Sequence, residues 1–147
     1  GGFTVHGEKI HSLEEALSST FHKVKKVKGK VEVAYDVKTD LGIVNMKNWR
    51  EIETMSPFGL ANPKPVFLFE NVKIENIKKF GKNSSGEHLE IIFSDGRSRA
   101  VAISFFSGAD SFKTSLQKDK KVNLLATFDL SRFRGREELR LRVADVF

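Results

Sequence analysis

The stretch Phe128-Asp-Leu-Ser-Arg-Phe-Arg-Gly-Arg-Glu-Glu-Leu-Arg-Leu-Arg-Val143 reads as a strand, a glycine-centred turn and a second strand. Leu139, Leu141 and Val143 alternate with Arg140 and Arg142, the period-two pattern of a half-buried strand. Arg132, Arg134 and Arg136 gather about the turn, with Phe133 between the first two. A phenyl ring flanked by guanidinium groups gives a base a surface to stack on and phosphates a partner. A solvated basic hairpin with a core phenylalanine is the plain alternative.

Working back from this hairpin, Val122 to Leu130 is a strand with Val122, Leu124, Ala126, Phe128 and Leu130 in phase, preceded by a basic turn at Lys118–Lys121. Ser107 to Gln117 reads as a short helical connection, with Ala109, Phe112 and Leu116 on one side. Arg99–Phe106 and His88–Ser94 are strands joined by Asp95-Gly96, a two-residue hairpin signal. Phe80–Glu87 is a glycine- and serine-rich loop. Val66–Ile77 is a long strand whose apolar parity slips between Phe69 and Val72, which predicts a bulge near Glu70-Asn71. Five strands with a helix between the third and fourth is the order of an OB-fold, a partly open Greek-key barrel. The expected fold is therefore mainly β: a five-stranded OB-fold barrel preceded by a small α/β fragment and a linker helix.

Towards the N-terminus, Phe3–Val5 is a short predicted strand. Ser12 and Glu15 have capping-box spacing ahead of a helix carrying Leu13, Ala16, Leu17 and Phe21. Lys23, Lys25, Lys26, Lys28 and Lys30 form a basic run, read as a solvated turn or as a phosphate contact. Val31–Asp36 is a predicted strand. A second helix, about Asn45 to Met55, stripes Met46, Trp49, Ile52 and Met55, which makes Trp49 a core residue rather than a stacking platform. Ser56–Pro65 holds all 3 prolines and is a stiff, extended connector. The expected divisions are residues 1–36, 37–65 and 66–147. The opening Gly-Gly-Phe-Thr-Val lacks a Met and runs straight into a strand pattern, which predicts a piece of a longer protein.

The 147 residues are 39% hydrophobic with 13 Phe, enough for a real core. Lys and Arg outnumber Asp and Glu by 25 to 19, for a net charge of +6, which favours a polyanionic partner. There is no Cys, which excludes disulfides, thiolate metal sites and Cys nucleophiles and is compatible with a reducing cytosol; a cytoplasmic location is expected. No apolar run approaches the ~18 residues of a membrane span, so no membrane partner is expected. His6, His11, His22 and His88 are scattered, with no metal-ligand spacing, and Ser104 and Ser107 have no partnered base. No catalytic constellation or cofactor is expected on this chain. Binding remains. In OB-folds nucleic acid lies across strands two and three, between the loops joining strands one to two and four to five. Here that places Lys82, Arg97, Arg99, Arg132, Phe133, Arg134, Arg136 and Arg140 as candidate contacts, with Phe105 expected in the core and Phe133 half exposed.

Ser56-Pro-Phe-Gly-Leu-Ala-Asn-Pro-Lys-Pro-Val-Phe67 resembles the Pro-Phe-Gly-x-x-Asn-Pro-x-Pro-x-Phe connector of bacterial RecJ, the single-strand-specific DNA exonuclease family. His88-Leu89, Ala102-Ile-Ser-Phe105, Phe133-Arg-Gly135, Leu139-Arg-Leu-Arg142 and Asp145 resemble that family's later strands. Gly2-Phe-Thr-Val5 resembles the strand after the Gly-Gly-His motif of its DHH-associated domain. Leu60-Ala61 departs from the Pro-Gly common in the connector. The resemblance implies that residues 1–36 are the tail of the DHH-associated domain and that 66–147 is an OB-fold gripping single-stranded DNA. The parent enzyme would cut that DNA from its five-prime end with manganese or magnesium held elsewhere, by Asp and His residues of the DHH domain. Single-stranded DNA and single-strand-binding protein are the candidate partners. A structural or protein-docking domain, its arginines meeting acidic residues, is the rival reading.

Overall fold

The computed structural model describes residues 4–23, 34–81, 88–105, 112, 114–133 and 135–147, the side chains of 21–23 and 133 excepted. The chain forms two compact units, Gly1–Glu32 and Val33–Phe147. In the first, a 3-10 segment (Gly7–Ser12) continues into helix α1 (Leu13–Lys23). Ser12 is therefore not the N-cap expected: the chain is already helical there, and its hydroxyl donates back to the Lys9 carbonyl (3.2 Å). Thr4 and Val5 are not in a strand. None of the described helices is long and apolar enough to cross a membrane.

The second unit is built on one sheet. Strand β1 (Val37–Thr39) starts just beyond the predicted Val31–Asp36 strand, whose described residues Ala34–Asp36 are not in a strand. Asp36 instead ties down the chain crossing it: its N–H donates to the Val66 carbonyl, and its carboxylate accepts from Val66 N–H, both at 2.8 Å. Val37 then pairs in parallel with Phe67. After β1, Leu41 is driven into the barrel and is 1% exposed. Helix α2 (Met46–Glu53) follows, capped by the Asn45 side chain, which accepts from Asn48 N–H at 3.0 Å. Ile43, Val44, Trp49 and Ile52 pack against the barrel core, so the expected stripe holds at Trp49 and Ile52; Met46 is half-buried, and Met55 lies beyond the helix and is exposed. The connector is pinned by Asn62, whose amide donates to the carbonyls of Met55 (2.8 Å) and Pro57 (3.1 Å).

The barrel strands are β2 (Phe67–Phe80), β3 (His88–Ser94), β4 (Arg99–Ser104), β5 (Lys121–Phe133) and β6 (Arg136–Val146). The sheet order is β1-β2-β3-β4-β6-β5, and β2 also pairs with β5, which closes the last five strands on themselves. Only β4 and β6 run parallel among the barrel pairs. Closure needs β2 to serve two neighbours: Phe67–Lys73 pairs with β5 and Lys73–Phe80 with β3. The bend falls where the parity slips. Register shifts between Phe69 and Val72, and Asn71 takes φ 54, a conformation that Asn tolerates better than most residues.

Inward positions fill the barrel with Phe69, Val72, Ile74, Leu89, Ile91, Phe93, Leu124, Leu141 and Val146, each at most 1% exposed. The expected connection over Ser107–Gln117 lies mostly outside the described residues; residues 114–117 are not helical, and Phe112 and Leu116 pack on the core. Phe105 departs from the expectation of a core residue. Ala102 and Ser104 take the inward positions at the end of β4, so the next residue faces outward and is only half-buried.

Candidate nucleic-acid interface

Alternation divides β3 and β4 into an inner and an outer face. Outside lie His88, Glu90 and Ile92 on β3, with Arg99, Val101, Ile103 and Phe105 facing the same way on and just beyond β4. On β6, Ile103 is registered with Arg142, so Arg140 and Arg142 join this outer face. Leu139, Leu141 and Val143 turn to the core. Two rows of side chains cross the face, one at each end of β3.

The first row is aromatic. Phe80 is registered with His88, and their rings are 5.4 Å apart. His88 meets Phe105 edge-on at 5.4 Å, and the Arg142 guanidinium lies 4.9 Å from the centre of the Phe105 ring. Arg140 reaches the same ring at 5.7 Å while its Nε donates to Asp129 at 2.7 Å. That pair is about four-fifths buried, with side-chain exposures of 20% and 23%. Arg140 thus enters the row already neutralised, and Arg142 is the exposed cation that meets its rings. A cation over a ring face contributes ~0.5–2 kcal/mol and holds the ring in place.

The second row is basic. The register runs Lys121 to Lys73, Lys73 to Ser94, and Ser94 to Arg99, through β5, β2, β3 and β4. With Arg97 and Glu75 these residues line an open cleft of about 420 Å³. Arg99 Nε donates to Glu75 at 2.9 Å, and Lys73 is 3.2 Å from Asp119. Among the described residues, Arg97 and Lys121 have no carboxylate partner. Six residue steps separate His88 from Ser94, so the two rows stand about 20 Å apart at ~3.3 Å per residue.

Asp95 anchors the turn between β3 and β4, where Gly96 takes φ +90. Its carboxylate accepts from Ser98 N–H (2.7 Å), Arg97 N–H (2.9 Å) and Leu41 N–H (3.0 Å), bolting the segment after β1 to the turn. The Ser98 hydrogen bond foremost, with those from Arg97 and Leu41, holds its pKa below the ordinary 3.8 against a desolvation push upward. A carboxyl with a lowered folded pKa stabilises the fold above the unfolded value and loses that contribution as pH falls through the folded one. Asp95→Asn is therefore expected to cost about 1 kcal/mol at neutral pH, the margin of charged over neutral hydrogen bonds. Urea titrations at pH 7 and below pH 4 should show the two proteins converging in acid.

The hairpin that carried most of the expected contacts is regular for longer than its sequence suggests. Arg132 and Arg136 are not loop residues: β5 and β6 stay paired up to Phe133 and Arg136, with Gly135 at φ +75 just before β6. Alternation then parts the arginines. Arg132 shares its face with Leu130 and pairs with Glu137 at 2.9 Å, in an exposed contact worth ~0–1 kcal/mol. Arg136 shares the other face with Arg140 and Arg142. Arg134, Lys82 and the Phe133 side chain lie outside the described residues. His88, Phe105, Lys73 and Lys121 were missed from the sequence, and Arg142 was singled out there without its face being readable. Opposition of Phe80 to His88 was the one available signal, and it needed the register of a hairpin with an irregular loop. Among the described residues, no three His, Asp or Glu side chains converge as a metal site.

A closed five-stranded barrel with its fourth and fifth strands entering in the order β6, β5 is an OB-fold, and its outer face carries the rings and cations. Residues 35–145 match the family described as the RecJ OB domain, and the chain belongs to that family. It is 22% identical over 102 residues to the single-stranded-DNA-specific exonuclease RecJ of Bacillus subtilis (strain 168), spanning 69% of this chain and 12% of that protein. Crystal structures of Thermus thermophilus RecJ with Mg2+ and with Mn2+ share the fold over 99% of the chain, at TM-scores of 0.57 and 0.58 and 16% and 17% identity. The chain covers 21% and 20% of those two proteins.

Proposed function

We propose that this domain holds single-stranded DNA across the outer face of β3, β4 and β6, as the OB-fold part of a RecJ-like five-prime-to-three-prime exonuclease acting in repair and recombination. The observation that carries the reading is the row Phe80, His88, Phe105, Arg142, which sets rings and a cation side by side on the outer sheet face, Phe80 and Arg142 exposed and His88 and Phe105 half-buried. Unpaired bases have free faces to stack, at ~1–3 kcal/mol each, whereas duplex DNA hides them. Arg136 and Arg140 lie on the face of the row as backbone contact and ring support, Arg97 and Arg99 are backbone contacts at the other end of β3, and Lys82, Phe133 and Arg134 are further contacts. Arg132 is the weakest candidate, because phosphate must displace Glu137 to reach it.

Residues 1–36 then form the tail of a DHH-associated domain, 37–65 the connector, and 66–147 the grip that feeds the strand to a catalytic domain. Hydrolysis and its manganese or magnesium belong to that domain, and this chain alone has no hydrolytic activity. The parent enzyme works in the cytoplasm, where single-strand-binding protein is a second partner.

Anisotropy titration of a labelled oligonucleotide against the chain and its Arg134→Ala, Arg136→Ala double variant tests the hairpin. The slope of log affinity against log salt should fall by about 0.7 per arginine that meets a phosphate. Equal slopes and affinities take the hairpin out of the site. No binding of single strands, with salt-sensitive binding of an acidic peptide, would instead establish a protein-docking domain.

A further inference from the structure

The basic cleft below the β3–β4 turn is separate from the ring row, and its construction calls for an anion. Lys73 and Lys121 stand directly opposite each other on β2 and β5, a like-charge pairing that destabilises a sheet unless a counter-charge lies over it. Arg97 and Arg99 approach from the other wall. Against these four cations the lining supplies two carboxylates, Glu75 and Asp95. Glu75 is engaged by Arg99, and Asp95 is turned to the backbone N–H groups of Ser98, Arg97 and Leu41. Because Asp95 occupies the N–H groups of Arg97 and Ser98, the turn is not a backbone anion nest, and any recognition there falls to side chains. Asp119 answers Lys73 from outside. One negative charge between Arg97 and Lys121 would complete the balance.

We propose that this cleft is a phosphodiester subsite, about 20 Å along β3 from the ring row, so that one single strand is gripped at two points. The proposal rests on the reading of the domain as a single-strand binder and adds a second, purely electrostatic foothold to it. Bases stack at Phe80, His88 and Phe105, while a phosphate further along the same strand sits between Arg97 and Lys121. Two linked footholds exceed either alone by effective concentration, provided the strand is long enough to reach both.

The experiment compares oligothymidylates of about 20 and about 3 nucleotides, above and below the ~4–16 that one OB-fold covers. Each is titrated over a range of salt against the native chain and the Arg97→Ala, Lys121→Ala double variant. The native chain should bind the longer strand at least about 100-fold more tightly. In the double variant that gain should collapse, and the salt slope for the longer strand should drop by roughly 0.7, the contribution of the one phosphate held in the cleft. Both positions are exposed, and the substitution of Lys121 relieves its repulsion with Lys73, so the thermal midpoint should not fall. Glu75→Gln, which removes a carboxylate from the lining, should tighten the longer strand. A double variant that keeps the slope and the length gain overturns the cleft while leaving single-strand binding intact. A native chain that binds neither length overturns the single-strand reading itself, and the subsite with it.

Discussion

Phe69→Ala is expected to lower the unfolding free energy by about 3–5 kcal/mol, measured by urea or thermal denaturation. Phe69 is 0% exposed, and its ring centre lies 6.4 Å from that of Phe67, which in turn meets Phe128 at 5.0 Å. It sits where β2 pairs with β1 on one side and β5 on the other, two residues before the bend at Asn71. Removing it empties the seam at which the barrel closes, and the strands around it cannot collapse without losing that pairing. A domain of this size has ~5–15 kcal/mol to lose in total, so the variant should be marginal at 37 °C. Phe69→Leu, which retains most of the buried volume, should cost about 1.5 kcal/mol or less. Equal losses for the two variants would show that packing at the seam does not hold the barrel shut.

Phe105→Ala is expected to weaken single-strand binding by ~1–3 kcal/mol, the usual cost of losing one base-stacking ring, or about 5- to 150-fold. The ring lies outside the core between His88 and Arg142. Its removal also frees Arg142 from the sheet, which replaces a stacking surface by a mobile cation. The salt slope should therefore stay near its native value while affinity falls, opposite to the Arg97→Ala, Lys121→Ala pair. Phe105→Tyr should restore binding, because it keeps the ring face. If Phe105→Ala unfolds the domain at a lower temperature but binds single strands normally, the ring is packing and nothing more.

The OB-fold was legible because each of its decisive features is local. Leu139, Leu141 and Val143 alternate with arginines, Asp95-Gly96 marks a turn, and the slip from Phe69 to Val72 marks the bend. Period-two alternation assigns sides within one strand, and the hydrophobic effect then decides which side is the core. Ser12 misled because capping-box spacing is also met by a residue inside a helical run. The strand expected at Val31–Asp36 misled because hydrogen bonds of Asp36 to Val66, 30 residues away, set where β1 begins.

The candidate site was legible only in outline. Its sign, its basic hairpin and its strand pair followed from composition and pattern, since charge and alternation need no partner to be read. Sequence alone therefore determined a basic OB-fold barrel of the RecJ kind, with Arg140 and Arg142 opposite Leu141. Tertiary structure decided the rest. It turned Phe105 outward beside His88, put Arg132 and Arg136 on opposite faces, and set Lys73 against Lys121. Each of these depends on which residue of one strand stands beside which residue of another. That register is fixed by barrel closure and loop geometry over tens of residues, and no local pattern encodes it.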